Sequence, residues 1–103
     1  MTTSLAPVFA ALADETRWSI LTALGDEDLS ASALSARLPV SRQAIAKHLA
    51  ALEAVGLVES QAVGRELRYR ALGARLADVA RELERIGATW DRRLAIIQRI
   101  AES

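Results

Sequence analysis

The sequence predicts a mainly α protein with one small β-hairpin, in the order α-α-α-α-β-β-α. Three observations predict it. Ala and Leu dominate a chain that is 51% apolar, which suits packed helices. Apolar residues recur at helical spacing in blocks punctuated by Gly25, Pro39 and Gly56. Between residues 57 and 71 the period changes to two. A chain of 103 residues is read as a single domain, 1–103, with little core to spare as a monomer.

The first helix is expected over 4–12, where Leu5, Val8, Phe9 and Leu12 share a face. Pro7 is tolerated in its first turn, where a missing N–H breaks no helical bond. Asp14-Glu15-Thr16 starts a second helix, with its acids near the positive end of the dipole. Ile20, Leu21 and Leu24 form its inward stripe, and Gly25 stops it. Trp18 is assigned to a core or a subunit interface. Asp26-Glu27-Asp28 is a solvated turn. Leu29-Ser30 opens a third helix, with Ser30 as cap, Leu34 and Leu38 inward, and Pro39 closing it.

The next stretch, PVSRQAIAKHLAALEAVGLV (39–58), organises the rest. Ser41 is a cap residue, its hydroxyl accepting a backbone N–H that lacks a helical partner. Ile45, Leu49, Leu52 and Val55 make one buried stripe, and Gly56 ends the helix in a left-handed position. Arg42, Gln43, Ala46, Lys47 and His48 lie between the stripe residues, on a polar, positive face suited to base edges and phosphates. A short helix, a tight turn and a longer capped helix over about 30–55 form a helix-turn-helix, whose second helix enters the major groove. Residues 57–61 read as a strand, 63–65 as a turn and 66–71 as a returning strand, with Leu67, Tyr69 and Ala71 inward. Gly64 supplies a positive φ for the turn, and Arg65 sits at its tip. The helix-turn-helix plus this wing (about 57–71) is a winged helix-turn-helix. The last helix, 74–101, would run about 40 Å at 1.5 Å per residue. Leu76, Val79, Leu83, Ile86, Trp90, Leu94 and Ile97 step along it by three and four, a seam for a partner helix. Small domains gain core by pairing, so a homodimer is expected.

The zero net charge hides an uneven distribution. Residues 1–36 carry one Arg against five acids, residues 37–70 six Lys/Arg against three, and residues 71–103 six against five. The basic excess falls on the capped helix and the wing, and the local field is what DNA meets. No apolar run approaches about 20 residues, so no membrane span is expected. The N-terminus lacks a secretory pattern. Zero cysteines remove disulfides, thiolate metal ligands and a cysteine nucleophile together. With no phosphate-cradling Gly-rich loop and a single His, catalysis is not expected, and no catalytic or cofactor residue is assigned. The alternative function is a winged-helix module that binds protein rather than DNA, which the neutral net charge favours.

The stretches FAALADETRWSIL (9–21), SRQAIAKHLAALEAVGLV (41–58) and GRELRYRAL (64–72) resemble the ArsR/SmtB family of bacterial winged-helix repressors over nearly the whole chain. The resemblance implies a homodimer built on the first and last helices, with Leu5, Val8, Phe9, Leu83, Ile86, Trp90, Leu94 and Ile97 at the interface. It also implies a partly palindromic operator, repression by occupying a promoter, and a cytoplasmic, nucleoid-associated protein.

The chain departs from the family's metal sensors. Its third helix has no Cys-x-Cys motif, its last helix has no His, and its sole His48 cannot form a selective site alone. Asp78, Glu82 and Asp91 read as helix-surface charges. The C-terminal TWDRRLAII resembles metal-independent members, whose signals vary, so an effector of unspecified chemistry joins the expected partners.

Ser41, Arg42, Gln43 and Lys47 are assigned to the major groove: Gln43 to an adenine edge, Arg42 to guanine or phosphate, Ser41 to a phosphate. His48 reaches a phosphate or braces the helix. Arg65 is assigned to the minor groove. Arg68 and Arg70 go to flanking phosphates or to a solvated outer face.

Overall fold

The computed structural model describes residues 5–102. Its elements are α1 (Ala6–Leu12), α2 (Glu15–Leu24), β1 (Leu29–Ser30), α3 (Ala31–Arg37), α4 (Arg42–Ala54), β2 (Val58–Val63), β3 (Glu66–Ala71) and α5 (Gly73–Glu102). The fold is a winged helix-turn-helix, mostly helical with a small antiparallel sheet. Ser4, the expected start of the first helix, lies outside the described residues. No helix among them is long and apolar enough to cross a membrane.

Three of the helices start on a side-chain cap. Asp14 caps α2 by accepting the Arg17 N–H at 3.0 Å, Ser30 caps α3 through Ala33, and Ser41 caps α4 through Ala44. At the far end of α4, Gly56 adopts φ +76° and the Leu57 N–H reaches back to the Leu52 carbonyl at 3.0 Å. That left-handed residue turns the chain from helix into wing at little cost.

β1 is absent from the sequence-based order. Leu29–Ser30, expected only to open the third helix, also pairs antiparallel with β3, Leu29 opposite Tyr69 and Ser30 opposite Arg68. The sheet order is β1-β3-β2. A two-stranded hairpin is marginal in water. The third strand fastens its base to the helix-turn-helix, and Leu57, buried, bonds through its carbonyl to the Leu72 N–H on the other side. The turn is also tighter than expected. β2 runs to Val63, which pairs with Glu66, leaving a two-residue loop with Gly64 at φ +63°. Leu67, expected inward, is 49% exposed. It pairs with Ala62 in the part of the hairpin that has passed beyond β1, where it borders an open cleft shared with α4.

The core gathers Ile20 and Leu24 of α2, Leu34 of α3, Ile45, Leu49 and Leu52 of α4, Leu57 and Val58 at the wing's base, and Val79 of α5. Val8 belongs to it as well. Assigned to a dimer interface from the sequence, it is 1% exposed within its own chain and faces inward. Leu5 and Phe9 are half-buried against the same cluster. Trp18 is not in the core: it is 61% exposed and lines a shallow apolar groove with Leu12, Leu21, Leu76, Val79 and Leu83. Val79 roots α5 in the body. From Leu83 onward the helix carries no buried residue, and the molecule reaches 67 Å in its longest dimension.

Candidate nucleic-acid interface

Three fully buried side chains, Ile45, Leu49 and Leu52, press one face of α4 into the core. Helical periodicity then turns Arg42, Gln43, Ala46 and Lys47 outward, and all four are exposed. Ser41 is exposed too, with its hydroxyl oxygen taken up by the Ala44 N–H at 3.2 Å. Its own O–H stays available to an anion.

The fold brings Arg42 and Arg65 together across a long stretch of chain. Arg42 and Ala46 from α4, Ser30 and Ser32 at the start of α3, and Arg65, Glu66, Leu67 and Tyr69 from the wing line one cleft. Among the described residues, Arg42, Lys47 and Arg65 make no ion pair, so their charge is directed to solvent. Arg68 and Arg70 are different. Strand alternation puts them on the face opposite Leu67 and Tyr69, away from the cleft. There Arg68 pairs with Glu66 at 2.9 Å and Arg70 with Glu59, directly opposite in register, at 2.5 Å. Of the two readings for these arginines, the ion pairs favour the solvated outer face.

His48 also finds a partner within its own chain. It points between α4 and α2, where its Nδ1 accepts from Arg17 Nε at 3.2 Å and lies 3.9 Å from Asp14 Oδ1. The imidazole braces α4 against α2. Arg17 also donates to the Ala11 carbonyl at 3.4 Å, so one guanidinium ties α1, α2 and α4. The Arg17 backbone N–H holds the Asp14 carboxyl below its ordinary value. Sequence pattern assigns Arg17 no role. Its signal is its isolation, as the sole basic residue in an otherwise acidic stretch of 36. Nor does the pattern assign Ser30, Ser32, Leu67 or Tyr69 to the interface.

A capped helix presenting free cations, braced by a second helix and flanked by an Arg-tipped wing, defines a helix-turn-helix DNA-binding transcriptional regulator. A family model described as a helix-turn-helix domain matches residues 12–61. The chain is 37% identical over 83 residues to the HTH-type transcriptional regulator CmtR of Mycobacterium tuberculosis, covering 81% of this chain and 70% of that one. Among solved structures, an ArsR-like transcriptional regulator from Rhodococcus sp. RHA1 superposes with a TM-score of 0.84 at 75% identity, covering 96% of this chain and 91% of that one. A homodimeric winged helix-turn-helix DNA-binding domain from Mycobacterium bovis superposes with a TM-score of 0.66 at 30% identity, covering 87% and 81%. The chain belongs to the ArsR family of transcriptional regulators.

Proposed function

We propose that the protein is a homodimeric repressor that occupies a partly palindromic operator. Two copies join through α1 and α5, and each lays α4 in the major groove with Arg65 of its wing in the adjacent minor groove. Ser41, Arg42, Gln43 and Lys47 are the reading and anchoring residues. The whole of 1–103 then works as one winged helix-turn-helix domain in the bacterial cytoplasm, on the nucleoid.

The observation that carries this reading is the exposed stripe Leu83, Ile86, Trp90, Leu94 and Ile97 on the outer half of α5. Most helical stability in proteins comes from packing an apolar face, and an apolar stripe at this spacing calls for a second helix. The M. bovis domain, described as homodimeric, supports it. The signal is not read through thiolates, because the chain has no cysteine.

Sedimentation of the purified protein beside a gel-shift titration with the DNA upstream of its own gene tests the proposal. The expected result is a dimer whose affinity falls steeply as salt rises, since each neutralised phosphate releases counterion. A monomer that ignores this and other duplexes at low ionic strength would refute it.

A further inference from the structure

Ala46 stands at the centre of the exposed face of α4. Arg42 and Gln43 precede it by one turn, Lys47 adjoins it, and Ala50, also exposed, follows one turn later. Ala46 is an apolar spot among the polar side chains of the first turns of α4, and, unlike Ala50, it forms part of the cleft wall that α4 shares with the wing. Leu67 closes that cleft from the opposite side, half exposed and unused by the chain's own core.

In the major groove, the edges of adenine, guanine and cytosine present hydrogen-bonding groups. Thymine alone adds an apolar group, its 5-methyl. A methyl-bearing side chain on the reading face therefore distinguishes thymine from the other bases by contact rather than by hydrogen bonding. The step from Gln43 to Ala46 advances about 4.5 Å along the helix axis. That is comparable to the base-pair rise of about 3.4 Å.

We infer that Ala46 is a base-reading residue that receives the 5-methyl group of a thymine, beside the base pair that Gln43 reads. The inference rests on the proposed seating of α4 in the major groove. A cytosine at that position brings a bare C5–H and leaves the apolar spot unfilled.

The probe is a duplex that the full-length protein itself enriches from a random-sequence pool. Each thymine of that duplex is replaced in turn by uracil, which removes the methyl and leaves base pairing and phosphates intact. One thymine in each half-site is expected to weaken wild-type binding about fourfold when replaced, the worth of one buried methyl. It should lie next to the base pair at which Gln43→Ala relaxes preference. Ala46→Gly is expected to bind the thymine and uracil duplexes equally. The readout is a ratio within each protein, so any general loss of helix stability cancels; Gln43→Ala, which keeps Ala46, should retain the ratio. Wild-type protein indifferent to every uracil, or an Ala46→Gly protein that keeps the full ratio, overturns the inference and leaves the DNA-binding reading standing. A pool in which nothing is enriched overturns both.

Discussion

In the head of the molecule, Ile20, Leu34, Ile45, Leu49 and Leu52 are fully buried; along α5 from Leu83 to Ile100, seven large apolar side chains are between 41% and 69% exposed. Both regions show the same helical spacing of apolar residues. Only the head covers its stripe with its own chain, because three short helices and the base of the sheet meet there. α5 has its buried residue at Val79, lines the Trp18 groove as far as Leu83, and from there carries its apolar stripe exposed. Periodicity identifies the apolar face of a helix but not what lies against it. The head covers its own apolar face, and the outer part of α5 leaves its apolar face open.

Substitution separates the two regions most sharply. Leu49→Ala should cost about 2–5 kcal/mol, the usual penalty for a cavity in a packed core. Its thermal midpoint should fall at every protein concentration. Trp90→Glu should leave the head folded, with its backbone amide spectrum intact, while sedimentation reports a monomer. Operator affinity should then drop by orders of magnitude, because two heads no longer bind as one. If Trp90→Glu sediments like the parent, the contrast between the regions fails.

Next in size are the cations of the interface. Arg42→Ala, Lys47→Ala and Arg65→Ala are each expected to weaken binding and lower the slope of log affinity against log salt by about 1. Arg68→Ala and Arg70→Ala, on the paired outer face, should leave the slope unchanged. Equal effects across all five would dissolve the distinction between cleft and outer face.

Smaller again is the brace between α2 and α4. Arg17→Met is expected to reduce stability by roughly 1.5–3 kcal/mol, the range for a hydrogen bond to a charged group. His48→Ala should do the same by a similar route. The double variant should lose less than the sum of the two, since both remove one interaction. Full additivity in denaturant titrations would show that the contact carries no weight.

The smallest effect is at acid pH. The Asp14 carboxyl titrates below its ordinary 3.8, so it binds protons less readily folded than unfolded. Its contribution to stability is therefore complete above that ordinary value and is lost as pH falls through the lowered one. Asp14→Asn should flatten this part of the acid limb of a stability–pH profile. A profile identical to the parent's would remove Asp14 from the account.

Local rules make the helix starts legible from neighbouring residues alone. Ser30 and Ser41 are cap residues by chemistry, Gly56 and Gly64 are the two positive-φ positions, and the switch to period two announces the wing. The outward face of α4 follows from the inward one. The cleft is not legible in this way, because Arg42 and Arg65 meet only when the wing folds back beside α4. Local pattern misassigns residues where a distant neighbour has the last word. Val8 has the spacing of an interface residue and is core. Leu67 alternates as if buried and is open. His48 sits on a DNA-facing helix and turns to Arg17.

By itself, then, the sequence determined what depends on a few adjacent residues: caps, turns, periods and the placement of basic charge along the chain. Tertiary structure decided the strand pairing of Leu29 with Tyr69, the guanidinium strut across three helices, and which cations stay free. Backbone preferences and helix periodicity act within about one or two turns. Strand pairing, ion pairs and burial depend on which distant segments arrive at the same place, and that information exists only once the chain has folded.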